Sequence, residues 1–268
     1  MAVSLGQLGM DKFLVKRPSP GKNKQEPLEM KGGELDCMRD GGEKKRPRSE
    51  MPGADEFLVH SPWKQIRAEG LNCDYKILFG KTEADKIFQE LEKEVEYFEG
   101  DLTKVQVFGK WHNIPRKQVT YGDPELTYTY SGVTFSPKLW IPVLNRIRER
   151  ITLATGHTFN FVLINRYKDG CDHIGEHRDD ERELVPQSPI ASVSFGACRD
   201  FFFRHGASRG KNASCHIEPI KLQLAHGSLL MMNYPTNVHW YHSLPPRKKV
   251  LAPRINLTFR KVMALAKK

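Results

Sequence analysis

A short polar segment, His177-Arg178-Asp179, places an imidazole and a carboxylate two residues apart. Alternate residues of an extended segment point to the same side, so His177 and Asp179 can reach one point. A further histidine follows within residues 237–242, at position 239 or 242. Two imidazoles and one carboxylate on one face form the facial triad of non-haem Fe(II) sites. The pattern therefore predicts a mononuclear iron site; the alternative is a hydrogen-bonded pair at the surface.

The segment Arg254–Arg260 alternates strictly, as a half-buried β-strand does. Its apolar residues would face a core, and the opposite side would carry Arg254, Asn256, Thr258 and Arg260. Two guanidinium groups lining a cavity predict a dianionic small molecule, because arginine matches carboxylate oxygens in bidentate geometry. The arginines lie about 20 Å apart along a strand, so they need to converge or have separate roles. The alternative is the exposed face of an edge strand.

The elements that position these residues are two helices and many short strands. Apolar residues at three- and four-residue steps predict one helix from a cap at Thr82 to Gly100, and a second from Trp140 to Gly156. The predicted strands are 104–108, 126–130, 159–167, 190–195, 200–204, 217–224, 228–232 and 254–260. This pattern predicts a mainly β sandwich or barrel with flanking helices.

Composition excludes several classes of protein. The chain has 268 residues, of which 39% are hydrophobic and 28% charged, enough to bury a sizeable core. We expect no membrane span, because no apolar run approaches about 20 residues, and no secretory signal. Five scattered cysteines without C-x-x-C spacing predict free thiols in a reducing compartment. A disulfide scaffold and a zinc finger are therefore disfavoured.

Charge indicates a polyanionic partner. The formal net charge is +10, and nearly all of the basic excess lies after residue 60. A basic folded domain favours nucleic acid first and an acidic membrane second, with a solvated basic surface as the alternative. Residues 1–60 are poor in apolar residues, which predicts a disordered tail before one folded domain at 61–268.

Two segments of the tail differ from the rest. Residues 12–16, KFLVK, place three apolar residues between two cations. Such a cluster cannot pack a core of its own and fits a docking peptide, with a chance cluster as the alternative. Residues 44–48, KKRPR, form a basic run of the nuclear-import type.

Taken together, these residues resemble the AlkB-type Fe(II)- and 2-oxoglutarate-dependent dioxygenases. The resemblance rests on the triad, the RINLTFR strand and Asn165-Arg166-Tyr167, and it covers residues 63–268. Val107-Phe108-Gly109-Lys110 is similar to members that repair duplex DNA. The resemblance implies a double-stranded β-helix (jelly roll) core. It also implies a dioxygenase that demethylates 1-methyladenine and 3-methylcytosine in DNA and releases formaldehyde, succinate and CO₂.

The resemblance also implies the ligands of both cofactors. Fe(II) would be held by His177, Asp179 and His242, which leaves His239 as a structural or supporting residue. The residues implied for 2-oxoglutarate are Asn165, Tyr167, Arg254, Thr258 and Arg260. Asn165 and Tyr167 lie two apart and so share a strand face, as a common ligand requires.

A methyl group on the pairing edge of a base is hidden in a duplex, so the enzyme must act on single strands or flip the nucleotide out. Apolar residues beside a glycine fit the tip of a hairpin near residues 104–112, and the resemblance makes Phe108 the wedge, beside Gly109 and Lys110. A buried strand residue is the alternative. The other implied substrate contacts are Tyr128, Thr129, Tyr130 and Asp180.

Each of these substrate contacts has its own alternative. Tyr130 stands where the family pattern has phenylalanine, and the two tyrosines of this segment also fit a cross-strand aromatic pair. Asp180 would favour a positively charged methylated base, or would simply pair with Arg178 or Arg182.

The remaining cations predict contacts to the DNA backbone, although basic loops are often only solvated. The candidates are Arg204, Arg209, Lys211, Arg247, Lys248 and Lys249. Residues 12–16 resemble a peptide that docks on the replication sliding clamp, and with residues 44–48 they imply a nuclear protein. We expect a monomer. Two other hypotheses stay open: a related dioxygenase acting on RNA or protein side chains, and a nucleic-acid binder with an inactive metal site.

Overall fold

The computed structural model describes residues 62–264 except 108–109, 131–132 and 210–214. The predictions for residues 12–16 and 44–48, and for Phe108, Gly109 and Lys211, fall outside the described residues. Within the described part, no helix is both long and apolar enough to cross a membrane.

Strands dominate the described part of the chain. Its helices are α1 (Lys81–Glu94), α2 (Pro142–Thr155) and the short α3 (Thr236–His239), with 3-10 turns at Gly100–Thr103 and Gly206–Ser208. Its strands are β1 (Lys64–Ala68), β2 (Leu71–Ile77), β3 (Lys104–Val107), β4 (Lys110–Asn113), β5 (Lys117–Gly122), β6 (Tyr128–Tyr130), β7 (Val133–Phe135), β8 (Lys138–Leu139), β9 (Phe161–Tyr167), β10 (Ile174–His177), β11 (Ile190–Gly196), β12 (Arg199–His205), β13 (Ile220–Leu224), β14 (Ser228–Met232), β15 (Trp240–Leu244) and β16 (Arg254–Arg260).

Two sheets form the body of the fold. The larger has eight strands in the order β1-β2-β14-β11-β16-β9-β5-β8, and the smaller has four in the order β10-β15-β12-β13. Neighbouring strands of the smaller sheet pair antiparallel, as do those of the larger one apart from the parallel pair β5–β8. The predicted class, mainly β with flanking helices, is confirmed.

Three apolar clusters of the described residues pack against the eight-stranded sheet. On one side, Leu91 of α1 and Ile147 of α2 pack in the same cluster as Ile255, Leu257 and Phe259 of β16. These three strand residues therefore face a core, as the alternation predicts. Strand β16 lies between β11 and β9, so the edge-strand alternative is wrong.

The two longer helices test the predicted boundaries differently. Helix α2 is followed by Gly156 in the left-handed conformation, at φ 74°, as predicted. Helix α1 departs from the prediction, because its cap is Gly80 rather than Thr82, and it ends at Glu94, well before Gly100. Val95 is extended but still buried in the core. The helical spacing of apolar residues thus continues beyond the last residue of α1, and for this reason the predicted end of the helix was too late.

The predicted hairpin is partly visible. Strands β3 and β4 pair antiparallel, with Val107 opposite Lys110, and the tip residues between them are outside the described part. Strands β6 and β7 form a second antiparallel pair, in which Tyr128 lies opposite Phe135 and Tyr130 opposite Val133.

Candidate active site

The strand pair β10–β15 brings two histidines together. His177 lies directly opposite His242, and their ring centroids are 4.3 Å apart. Asp179 follows two residues after His177, and its Oδ2 lies 3.9 Å from Nε2 of His242. One candidate ligand atom from each of the three residues lies within 4.8 Å of the other two. The structure thus places the predicted triad around a single point.

The protonation states of the triad suit a divalent metal. Burial lowers the pKa of His177, and it lowers that of His242 to about 3, so both rings are neutral. Burial alone would raise the pKa of Asp179. The charge of Arg260, the two histidines and the hydrogen bond from Arg260 together outweigh that effect and bring the pKa of Asp179 to about 2. Neutral imidazoles and an ionised carboxylate are the forms that coordinate a metal.

Hydrogen bonds orient the ligands. Nδ1 of His177 lies 2.9 Å from the carbonyl oxygen of Gly175, which leaves Nε2 for a metal. Nη2 of Arg260 donates to Oδ1 of Asp179 at 2.7 Å and fixes the carboxylate. Two nitrogen ligands and one oxygen on one side fit Fe(II). His239 is not part of this group, because it ends α3 and stacks on His205 at 6.2 Å.

A cavity beside the triad is lined by two neighbouring strands. Strand β16 contributes Arg254, Asn256, Thr258 and Arg260, and β9 contributes Asn165 and Tyr167. The register pairs Arg254 with Tyr167 and Asn256 with Asn165. Alternation along both strands therefore places all five residues predicted for 2-oxoglutarate on one surface.

Arg254 and Arg260 have separate surroundings, as their distance along the strand requires. Arg260 binds the metal ligand Asp179, whereas Arg254 donates through Nη2 to Oγ of Ser194 at 2.9 Å. Arg254 is 2% exposed, and its Nε and Nη1 have no hydrogen-bond partner among the described residues. A buried guanidinium with open donors fits the carboxylate of a bound ligand.

Side chains that the sequence did not indicate support this cavity. Nε of Arg116 donates to Oδ1 of Asn165 at 2.8 Å and so orients the amide. Asn256 donates to Oγ of Ser192 at 2.9 Å, and Oγ1 of Thr258 donates to Oδ1 of Asn256 at 3.3 Å. Arg116 lies 49 residues from Asn165, in a region where no strand was predicted, so no local pattern could have indicated the contact.

Two of the predicted substrate contacts, Asp180 and Thr129, have protein partners in the described part of the chain. Asp180 is 55% exposed and pairs with Arg178 at 3.1 Å, so the ion-pair alternative is observed. The backbone N–H of Thr129 donates to Oε1 of Glu183 at 3.2 Å. This bond links β6 to the segment that follows Asp179.

Several predicted phosphate contacts are engaged in ion pairs. Nε of Arg204 and Nε of Arg209 lie 3.0 and 3.1 Å from the two carboxylate oxygens of Glu176. Arg247 pairs with Asp200 at 2.6 Å. Lys248 and Lys249 are exposed. The three arginines are thus each held by a carboxylate, and the side chain of Arg209 is only 13% exposed.

The family follows from comparison with known proteins. A model of the 2OG-Fe(II) oxygenase superfamily matches residues 74–260, a range that contains the triad and the cavity strands. The chain belongs to this superfamily. The predicted cofactors, Fe(II) and 2-oxoglutarate, are those of the family, and the triad and cavity fit both.

Its relatives are AlkB-type enzymes, as the sequence resemblance predicted. Human DNA oxidative demethylase ALKBH2 is 67% identical over 263 residues, which cover 96% of this chain and 100% of the relative. Mouse DNA oxidative demethylase ALKBH2 is 64% identical, with coverage of 96% and 100%. Human alpha-ketoglutarate-dependent dioxygenase alkB homolog 3 is 38% identical and matches 71% of this chain and 65% of its own length.

A solved structure supports the architecture. The structure of OsALKBH1 aligns with a TM-score of 0.51 at 14% identity, covering 75% of this chain and all of that one. The likeness shows a shared fold, and the predicted jelly-roll core is confirmed.

Proposed function

We propose that this protein is a DNA repair dioxygenase that removes methyl groups from N-alkylated bases in duplex DNA, with Fe(II), 2-oxoglutarate and O₂. The observation that carries the proposal is the convergence of a buried His-Asp-His triad with an arginine-lined cavity. Relatives named DNA oxidative demethylase, which match nearly the whole chain, support DNA as the substrate.

The triad supplies three ligands from one side of the metal and leaves the other positions free. Bound iron with 2-oxoglutarate and O₂ supplies the oxidation of an N-methyl group, which is then lost as formaldehyde. Arg260 keeps Asp179 ionised and correctly oriented through a 2.7 Å hydrogen bond. No side chain is assigned as a general base, because removal of a hydrogen atom does not require one.

The cavity residues bind the co-substrate. Arg254 receives the carboxylate that lies far from the metal, because its Nε and Nη1 are buried and unpaired among the described residues. Asn165, Tyr167 and Thr258 line the cavity between this arginine and the triad. Arg260 lies at the metal end of the cavity, where it binds Asp179.

The damaged base reaches the site from the β3–β4 side of the molecule. Phe108 is the wedge that fills the gap left by the flipped nucleotide, with Gly109 and Lys110 beside it, as the sequence pattern predicts. Tyr128, Thr129, Tyr130 and Asp180 contact the extruded base. The bond from Thr129 to Glu183, four residues after Asp179, supports this placement of β6.

Cations bind the DNA backbone without reading its sequence. The proposed contacts are Arg204, Arg209, Lys211, Arg247, Lys248 and Lys249. Their number implies that duplex binding weakens steeply as salt increases.

The N-terminal tail localises the enzyme in the cell. Residues 12–16 dock on the replication sliding clamp, and residues 44–48 direct nuclear import, with the enzyme acting as a monomer. Replacing Phe13 and Leu14 by alanine should abolish capture by immobilised clamp while leaving demethylation of short duplexes unchanged. Undiminished capture by that variant would refute the docking assignment.

The decisive experiment measures formaldehyde released from 1-methyladenine in duplex DNA, in RNA and from a methylated peptide. The proposal expects release that needs Fe(II) and 2-oxoglutarate and is fastest with the duplex. His177→Ala should abolish release while binding of undamaged duplex survives. Release from RNA or peptide alone would favour the related dioxygenases, and no release from any substrate would favour a binding protein with an inactive metal site.

A further inference from the structure

The four-stranded sheet has two functional faces. His177, His242 and Phe203 lie side by side on β10, β15 and β12. Their strand neighbours Glu176, Tyr241 and Arg204 must point the opposite way, because successive side chains of a strand alternate. The outer face therefore places charged groups directly behind the metal ligands.

Glu176 is the centre of this outer face. Its Oε1 lies 3.0 Å from Nε of Arg204, and its Oε2 accepts a hydrogen bond from Nε of Arg209 at 3.1 Å. The guanidinium of Arg209 also lies 3.5 Å from the ring centroid of Tyr241, and that of Arg178 lies 4.7 Å from it. The Glu176 carboxylate thus holds Arg204 and Arg209 in place, and the three side chains together keep a net positive charge.

The same arrangement recurs farther along β12. Oδ2 of Asp200 lies 2.6 Å from Nε of Arg247 and 3.1 Å from Nζ of Lys221. Asp200 and Arg204 are four residues apart on one strand, and so they face the same side. A carboxylate shared by two cations is therefore a repeated feature of this surface.

We propose that Glu176 is a positioning residue of the DNA-binding surface, which holds Arg204 and Arg209 in place and competes with phosphate for the more exposed Arg204. The proposal rests on the function proposed above. This competition lowers the affinity of the enzyme for undamaged duplex. An enzyme that searches among a large excess of undamaged sites needs to dissociate from each of them.

Solvent exposure of the ion pair between Glu176 and Arg204 allows a DNA phosphate to replace the carboxylate. Arg204 is 46% exposed and Glu176 33% exposed, and an ion pair in such surroundings is weak. Arg209 is only 13% exposed and packs on Tyr241, so it stays in place. A phosphate oxygen can displace the carboxylate at little cost, because the arginine keeps a charge-assisted hydrogen bond throughout. Ordered side chains lose less rotational freedom when DNA binds.

The test compares variants of the full chain, loaded with Fe(II) without oxygen, for binding to undamaged duplex over a range of salt concentrations. Glu176→Gln should bind about fivefold more tightly at low salt, since one opposing charge is removed. Its plot of log affinity against log salt should be steeper, and its advantage should fade at high salt. A merely structural role would not steepen this dependence.

Glu90→Gln is the matched control for net charge. Glu90 also pairs with an arginine, Arg146 at 2.6 Å, and is 38% exposed, but it lies on α1. It should bind duplex nearly as the unchanged protein does. If Glu176→Gln binds no more tightly than Glu90→Gln, or more weakly than the unchanged protein, the inference is overturned.

Arg204→Gln separates this inference from the proposed function. We expect it to weaken duplex binding and to remove part of the gain when combined with Glu176→Gln. Unchanged binding by Arg204→Gln would overturn the phosphate assignment of Arg204 and this inference together. Weaker binding by Arg204→Gln, with no gain from Glu176→Gln, would overturn only the role of Glu176.

Discussion

The two faces of the four-stranded sheet use charge in opposite ways. On the inner side, Asp179 and Arg260 are each 2% exposed at the side chain and form a 2.7 Å ion pair. On the outer side, Glu176 and Arg204 are 33% and 46% exposed. Glu176 lies on β10, and Asp179 follows that strand by two residues and meets Arg260 of the larger sheet. The chain therefore passes from solvent to a buried cavity between residues 176 and 179.

This difference in solvation decides how strongly each face responds to substitution. A buried charge that loses its partner has no water to replace it, and the cost is several kcal/mol. An exposed pair is solvated in either state and contributes about 1 kcal/mol or less. The inner face is therefore rigid and specific, whereas the outer face can exchange partners.

The largest effect is expected from Asp179→Ala. It removes a metal ligand and leaves Arg260 buried without this carboxylate, so formaldehyde release should be abolished. Urea unfolding of the metal-free protein should show a loss of about 3 kcal/mol or more. Asp180→Ala is the matched exposed control and should change the free energy of unfolding by less than about 1 kcal/mol. Equal effects of the two variants would break the distinction between the faces.

The next largest effect is expected in the alkylation rates of buried and exposed cysteines. Burial raises the pKa of Cys73 to about 12, while Cys171 and Cys215 are exposed. At pH 8 a thiol with that pKa is ionised about a thousandfold less than an ordinary one. Alkylation followed by mass spectrometry should modify Cys171, Cys215 and the likewise exposed Cys198 long before Cys73. Early modification of Cys73 in the folded protein would show that the core opens.

Loss of Arg254 should affect co-substrate binding. Arg254→Met removes the open donors of the cavity and should raise KM for 2-oxoglutarate about 10- to 100-fold, with partial rescue by Arg254→Lys. Arg166→Met is the control, because Arg166 lies on β9 between two cavity residues but pairs outward with Glu92 at 2.8 Å. An unchanged KM in Arg254→Met would remove this arginine from the co-substrate site.

The smallest effect on stability is expected from the outer face. Glu176→Gln should change the free energy of unfolding by about 1 kcal/mol or less, because the replaced side chain is itself 33% exposed and its partner Arg204 is 46% exposed. Thermal and urea unfolding would measure it. A loss as large as that of Asp179→Ala would mean that Glu176 supports the fold rather than the surface.

Local patterns in the sequence predicted the elements that carry the co-substrate cavity. The alternation of Arg254–Arg260 is visible within seven residues and needs no knowledge of the rest of the fold. The triad spacing was equally local at His177 and Asp179. The choice between His239 and His242 was open from spacing alone, and the β10–β15 register places His242 opposite His177.

Long-range contacts and short polar strands could not be predicted in this way. Strands β10 and β15 have four and five residues and carry polar functional groups, which hide the apolar alternation. Arg260 lies 81 residues from Asp179, and Arg116 lies 49 residues from Asn165. Only the folded chain brings these partners together.

The most direct test of the metal site is the Fe(II) content of two histidine variants measured beside the unchanged protein. His242 lies in the triad, whereas His239, three residues earlier, stacks on His205. We predict one Fe(II) per chain in the unchanged protein and in His239→Ala, and loss of that ion in His242→Ala. Retention of one Fe(II) by His242→Ala, or its loss in His239→Ala, would contradict the proposed site.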